Sequence, residues 1–431
     1  MDEAERIERL RSENERLRVA LEELKILNEI ATAISSTLSL EQVMELMIKK
    51  CIKHLKAEQC AIMLLDPGDK DRPFHTMIRK ADTSRAMLPY RLDTQLMGWM
   101  LKNRKPLLIN DFSEFNQIRL APADSGGIKS VLAAPLLLKG HMTGSLNVFN
   151  KQDPGGFTDA DTRLLAIIAS ESAQVIENAR LYEEERALLR MQDEMKTARR
   201  IQADLLPKSP PAVIGYDIAG TSIPATLVGG DYFDFIRIDE NRLGLCLADV
   251  SGKGIPAALL MANVQATLRS QAISCSGPRE CLARSNDLLL ASTDLERYAT
   301  LFYGVLDTRG HTIEYCNAGH NPPFVFRKGC RPERLEVGGT VLGCFRASDY
   351  SGARVAIGPG DVLVMFSDGV TEAQNDRGEE FGDSGVAAVI TSSIEDPAES
   401  LMLKLVEMAR AHAGQAAPGD DVTVVVVKRC R

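Results

Sequence analysis

Aspartates stand at four places where an apolar, strand-like run begins or ends, each with glycine close by. Asp231 opens the strand of GGDYFDF. Asp249 closes RLGLCLADV ahead of the turn SGKG. Asp368 follows VLVMFS and precedes Gly369. Asp420 and Asp421 follow Gly419 and precede VTVVVV. One Asp-Gly step is an ordinary turn. A carboxylate at the end of a buried strand must be solvated, paired or metal-bound, because burying it alone costs too much. Carboxylates gathered from distant segments at one edge of a sandwich repel one another unless a cation intervenes. Carboxylate, carbonyl and water ligands suit Mg²⁺ or Mn²⁺, and no His-Cys cluster has zinc spacing. Asp249 is therefore read as a metal ligand. DVSGKG is not a P-loop: Leu247 stands where the first glycine belongs, and Gly254 where Ser or Thr must follow Lys253.

The elements that must position these groups are short and β-rich. Over 207–431 the runs DYFDFIRI, RLGLCLADV, TLFYGVLD, TIEYCNAG, PFVFRK, GARVAI, DVLVMFSDG and DVTVVVVK are separated by tight turns, which predicts mostly antiparallel pairing. Helices are expected at about 254–271, 278–293 and 397–413. VLVMF is apolar on both faces, so two sheets should pack together with helices covering the outside. Upstream, 161–206 reads as a long charged helix stopped by Pro207, Pro210 and Pro211. Its seam of Leu165, Ile168, Val175, Ala179, Tyr182 and Leu189 gives way to a shifted one at Leu188, Met191, Met195, Ala198 and Leu205. Residues 32–160 read as a mixed α/β domain. A capping box of Ser39 and Gln42 opens its first helix, and CAIMLL, FHTMIR, PLLIN, SVLAAPLLL and GSLNVFN are its strands. In 1–31, Ile7, Leu10, Asn14, Leu17, Leu21, Leu24, Asn28 and Ala31 form a heptad seam. That pattern fits a parallel dimeric coiled coil, or else one amphipathic helix packed on its own domain.

The chain has 431 residues, enough for two or three domains. A net charge of -8 argues against a general nucleic-acid binder. Nine scattered cysteines without a CxxC pair indicate reduced thiols and a cytoplasmic setting. MDEAERIERL has no apolar signal core, and the longest apolar runs fall far short of a bilayer span.

The stretch APLLLKGHMTGSLNVFNKQDPGGFTDADTRLLAIIASESAQVIENARLYEE resembles the closing half of a GAF domain, with Gly140, Gly144 and the Phe157-Thr158-Asp159 start as matching features. Asn150, Lys151, Phe157 and Asp161 match the pattern of cyclic-nucleotide-binding GAF domains, but Thr162 departs from it. Lys151 and Asp161 are read instead as a structural ion pair, with Asp161 closing a capping box on Thr158. A further small-molecule ligand for this domain is left open.

ARRIQADLLP, GGDYFDF, ADVSGKGIPAALLMA, ATLFYGVLD, NAGHNPP, FSDGVTEAQN and GDDVTVVVVK occur in this order across about 196–428. Together they resemble the RsbU/SpoIIE-like branch of the PPM metal-dependent serine/threonine phosphatases. The resemblance implies an α-β-β-α sandwich with two Mn²⁺ or Mg²⁺ ions at one edge. Asp231 and Asp249 would be the catalytic metal ligands, Asp249 bridging and the Val250 carbonyl assisting. Asp368 and Asp420 would share one ion, with the neighbouring Asp421 as a further metal residue. Water activated by the ion pair would hydrolyse the phosphate ester without a covalent phosphoenzyme. Many relatives carry His where Lys253 stands. A lysine at its usual pKa is a poor leaving-group acid, so the general acid is unassigned, and Lys253 is a solvated turn residue or a phosphate-attracting charge. His320 in NAGHNPP either orders its turn or takes part in chemistry. The implied whole is a dimeric signalling phosphatase with a GAF sensor, acting on a phosphorylated STAS-domain antagonist of an anti-sigma factor in a partner-switching pathway. Two rivals are a non-catalytic sensor or scaffold with a degenerate phosphatase fold, disfavoured by the intact acidic positions, and a two-metal nuclease, disfavoured by the net acidity.

Overall fold

The structure, a computed structural model, describes residues 6–11, 13–14, 40–65, 74–80, 90–112, 128–293, 297–346, 348–414 and 419–430. The chain divides into two compact units, Met1–Arg190 and Met191–Arg431. Among the described residues no helix is long and apolar enough to cross a membrane.

In the first unit, residues 6–11 and 13–14 are helical. The seam positions Leu17, Leu21, Leu24, Asn28 and Ala31, and the cap Ser39, lie outside the described residues. Helix α1 (Leu40–Leu55) precedes a five-stranded sheet of order β2-β1-β5-β4-β3, built from β1 (Ala57–Leu65), β2 (Phe74–Lys80), β3 (Leu107–Ile109), β4 (Val131–Leu138) and β5 (His141–Lys151). Helix α2 (Tyr90–Asn103), which the sequence patterns did not signal, stands between β2 and β3. The long helix α3 runs unbroken from Asp159 to Leu205.

The start of α3 is a reciprocal capping box. Thr158 N–H donates to Asp161 Oδ2 at 2.8 Å, and Asp161 N–H donates to Thr158 Oγ1 at 3.2 Å. Lys151 Nζ lies 2.9 Å from Asp161 Oδ1. The pair expected from sequence as structural is thus closed on itself. The α3 seam needs a correction in its first half. Leu165, Ile168 and Val175 are buried in this unit's own core with Met44, Ile48, Ile62 and Leu146, so they do not face a second copy. Further on, Leu181, Tyr182, Leu188, Leu189 and Met191 are exposed.

The second unit is a sandwich. One sheet has the order β13-β10-β9-β8-β7 with β14 against β10; the other has β12-β11-β15-β16-β6. The strands are β6 (Tyr216–Ile223), β7 (Tyr232–Arg237), β8 (Arg242–Val250), β9 (Ala299–Asp307), β10 (Thr312–Ala318), β11 (Phe324–Phe326), β12 (Glu333–Arg334), β13 (Gly338–Gly339), β14 (Ala353–Ala356), β15 (Val362–Phe366) and β16 (Val422–Arg429). Pairing is antiparallel except between β10 and β13. Alternation along each strand feeds two cores. Leu245, Leu247, Leu363, Met365, Val425 and Val427 fill the space between the sheets. Cys246 and Ala248 point out to α4 (Ile255–Ser274) and α5 (Pro278–Ser292). Val362, Val364, Phe366, Val424 and Val426 point out to α7 (Gly382–Ser392) and α8 (Ala398–Ala413). A one-turn helix α6 (Asp368–Thr371) follows β15.

Candidate metal centre

The four acidic positions meet at one end of this sandwich. Antiparallel pairing puts the entry of β7 beside the exit of β8, and the exit of β15 beside the entry of β16. Asp231 is buried just before β7, and its Oδ2 has no hydrogen-bond partner. Burial, then the charge of Asp249, pushes its pKa well above the usual carboxylate range, while the hydroxyls of Thr423 and Ser367 pull the other way. Asp249 is pushed up to about 7 by burial and then by Asp368, Asp420 and Asp421. Asp368 is raised by burial and then by Asp420 and Glu372. These shifts share two causes, burial first and then the crowding of carboxylates on one another.

The two aspartates at the entry of β16 have different surroundings. Asp421 is buried and its carboxylate accepts three backbone N–H groups: Ala225 at 2.7 Å, Gly230 at 2.6 Å and Asp231 at 3.3 Å. It ties the loop before β7 to the opposite sheet. A Cβ on Gly229 would come within 2.2 Å of its Oδ2, so only glycine fits there. Asp420 faces solvent and pairs with Lys253 Nζ at 3.1 Å; the same ammonium donates to Gly419 O. Lys253 is therefore an ion-pair partner rather than a free turn residue. Gly252 and Gly254, with φ of 95° and 72°, make the turn that carries it.

Two further groups brace the strand ends. Thr300 Oγ1 donates to Asp249 O at 3.3 Å, and His320 Nδ1 lies 2.9 Å from Thr300 Oγ1. One of the two donates to the other, and either direction suits a neutral His320. Burial lowers its pKa to about 4. His320 also exchanges two hydrogen bonds with Asn317, its N–H to Oδ1 at 2.7 Å and its carbonyl from Nδ2 at 2.9 Å. This histidine orders its turn. Ser367 and Thr423, both fully buried, join β15 to β16: Thr423 N–H donates to Ser367 Oγ at 2.9 Å, and Ser367 Oγ donates to Asp421 O at 3.0 Å.

Among the described residues no group of three or more His, Cys, Asp or Glu side chains is placed so that it could hold a metal ion. The residues nevertheless fit a cation, because the Oδ2 of Asp231 is a buried carboxylate oxygen without a hydrogen-bond partner beside Asp249. Around the place where a Cβ on Gly230 would stand, Val250 Cγ2 lies at 3.1 Å, the Val250 carbonyl at 3.2 Å and Asp249 Oδ1 at 3.4 Å, so two oxygens and one methyl border the space.

Residues 239–430 match the family Stage II sporulation protein E (SpoIIE), and residues 37–177 match the GAF domain family. The SpoIIE match falls within the second unit and the GAF match within the first. The chain is similar to the phosphoserine phosphatase RsbU of Bacillus subtilis (strain 168), 34% identical over 202 residues, 46% of this chain and 60% of that protein. Protein IcfG of Synechocystis is 27% identical over 263 residues, 55% of this chain and 41% of that protein. The chain thus spans less than two thirds of the length of these relatives. The SiaA-PP2C domain of Pseudomonas aeruginosa has the same fold, with a TM-score of 0.51 at 19% identity over 56% of this chain and 98% of that domain.

Two structural features of the second unit escaped the sequence reading. Asp234, three residues after Asp231, is buried in an ion pair with Arg269 of α4. Arg269 Nη2 is 3.1 Å from Asp234 Oδ1, Arg269 Nε donates to Oδ2, and Tyr232 OH donates to Oδ2 at 2.6 Å. Gln202, in the last turn of α3, meets both backbone groups of Gly229. It sits inside ARRIQADLLP, a segment already quoted for its family resemblance, and that was the only sequence signal.

Proposed function

We propose that this chain is a metal-dependent protein phosphatase that hydrolyses phosphoserine or phosphothreonine on a partner protein, under control of its GAF domain. The observation that carries the reading is the buried carboxylate of Asp231, with its Oδ2 unpartnered, beside Asp249 at the strand ends where Asp368 and Asp420 also stand. Asp231, Asp249, Asp368, Asp420 and the Val250 carbonyl would hold two Mn²⁺ or Mg²⁺ ions. Bound there, the ions supply Lewis acidity toward the phosphoryl group and lower the pKa of water. Asp421 keeps the Asp231 loop against the second sheet, and Thr300 with His320 holds the backbone at Asp249. Lys253, freed from Asp420 by a cation, is left as a positive charge at the mouth of the site. The name of the Bacillus relative supports the substrate class.

The partner we propose is a phosphorylated STAS-domain protein, as the family resemblance implies. Homodimerisation is supported by the exposed Ile7 and Leu10 and by the exposed Leu188, Leu189 and Met191 of α3. In this arrangement 1–31 is a coiled-coil helix, 32–160 a sensor able to take a small molecule, 161–206 a linker and 207–431 the phosphatase, all in the cytoplasm. The rival reading, a binding scaffold, draws on the ion pair of Lys253 with Asp420, which occupies one carboxylate. Mn²⁺-dependent hydrolysis of p-nitrophenyl phosphate and of a phosphoserine STAS protein, with Asp249→Ala as control, separates the two. Metal-dependent turnover that is lost in the control supports the phosphatase; no metal-dependent turnover by the unaltered chain supports the scaffold.

A further inference from the structure

The loop from Ala225 to Asp231 is gripped from two sides by side chains far away in sequence. From β16, Asp421 accepts the N–H groups of Ala225, Gly230 and Asp231. From the last turn of α3, Gln202 Nε2 donates to Gly229 O at 2.7 Å and Gly229 N–H donates to Gln202 Oε1 at 3.0 Å. One side-chain amide therefore satisfies both backbone groups of one glycine, two residues before Asp231. We propose that Gln202 is a positioning residue for the metal centre, acting through Gly229 on the place of Asp231, without touching ion or phosphate itself. The proposal rests on the metal-phosphatase reading above and adds the residue that couples the end of α3 to it.

The chemistry is specific to glutamine. Its terminal group offers a donor and an acceptor side by side at this reach. Glutamate keeps only the acceptor, asparagine is one methylene short, and alanine has neither. A two-point match fixes the rotation of the Gly229 peptide as well as its distance. Gly229 has no side chain to hold it otherwise, and it cannot gain one because Asp421 Oδ2 occupies the space. The helix end is itself docked in this domain. Gln265 Nε2 of α4 donates to Leu205 O at 3.5 Å, and Leu206 packs against both neighbouring cores. Sliding α3 by one residue is a shift of about 1.5 Å along its axis, enough to disturb the paired geometry of the two Gln202 hydrogen bonds. With those bonds lost, Gly229 and its neighbours would be held by Asp421 alone.

The test uses the full chain with Gln202→Ala and Gln202→Glu, and Asp231→Asn as the control for the metal site. Mn²⁺ affinity is measured by calorimetry, and amide hydrogen exchange over 225–235 is measured without metal. The expected result for Gln202→Ala is Mn²⁺ binding about tenfold weaker and exchange over 225–235 at least tenfold faster. Exchange in α4 and the melting temperature stay at wild-type values. Gln202→Glu, the same size and with the acceptor retained, falls between, and it carries the test if the alanine variant does not fold. Wild-type Mn²⁺ affinity or wild-type exchange over 225–235 in both variants overturns the proposal. If the unaltered chain takes up no Mn²⁺, the metal reading fails instead, and the exchange data alone decide whether Gln202 holds the loop.

Discussion

Asp161 in the first unit and Asp231 in the second are the same residue type in opposite circumstances. Asp161 has Lys151 at 2.9 Å and both Thr158 groups as donors, and these outweigh its partial burial to lower its pKa. Asp231 is more deeply buried, has one oxygen without a partner, and faces Asp249. Asp234 sharpens the contrast, being equally buried but paired with Arg269. A folded chain closes a structural carboxylate on nearby donors. One left open where others converge is destabilising unless something else is bound, and that marks it as functional.

The largest expected effect breaks the functional side of the contrast. Asp249→Ala should lower Mn²⁺-dependent hydrolysis of p-nitrophenyl phosphate by roughly 10³-fold or more, the scale on which removing a transition-state-stabilising group acts. Its stability in chelator should not fall, because a crowded carboxylate has been removed. Arg269→Met acts in the reverse sense. It strands the buried Asp234 and should cost about 3 kcal/mol in chemical denaturation, without removing a proposed metal ligand.

The pH dependence of the metal-free chain comes next. The folded pKa of Asp249 is raised to about 7, so the stability it contributes is full below its ordinary value and lost as pH climbs through 7. In chelator, the phosphatase domain should be less stable at pH 8 than at pH 5 by about 2 kcal/mol. Mn²⁺ should abolish that loss. Equal melting at both pH values in chelator would mean that neither burial nor the neighbouring carboxylates raise the Asp249 pKa in the folded chain. The smallest effect is expected in the GAF domain, where Asp161→Ala should cost about 1 kcal/mol as a lost cap and leave Mn²⁺ affinity unchanged.

Much of this was legible from the sequence because strand ends and turns are local signals. Runs such as VLVMF announced strands apolar on both sides, and the Asp-Gly steps marked where they stop. What was missed depends on partners far away in the chain. Gln202 and Gly229, or Asp234 and Arg269, carry no mark of their pairing in local spacing. Helix Gly382–Ser392 has poor intrinsic helix formers and exists because Val386 and Ile390 bury against the second sheet. The α3 seam failed in a different way. Its period reported an apolar stripe correctly at Leu165, Ile168 and Val175, but a period does not say whether the cover is a second copy or the domain's own sheet.

The most direct measurement is anomalous scattering from crystals of the phosphatase-containing chain soaked in Mn²⁺. The account predicts two manganese peaks at the strand ends, contacted by Asp231, Asp249, Asp368, Asp420 and the Val250 carbonyl, with Asp231 Oδ2 now ligated. Crystals saturated with Mn²⁺ that show no peak there, and Asp231 Oδ2 still without a partner, would contradict it.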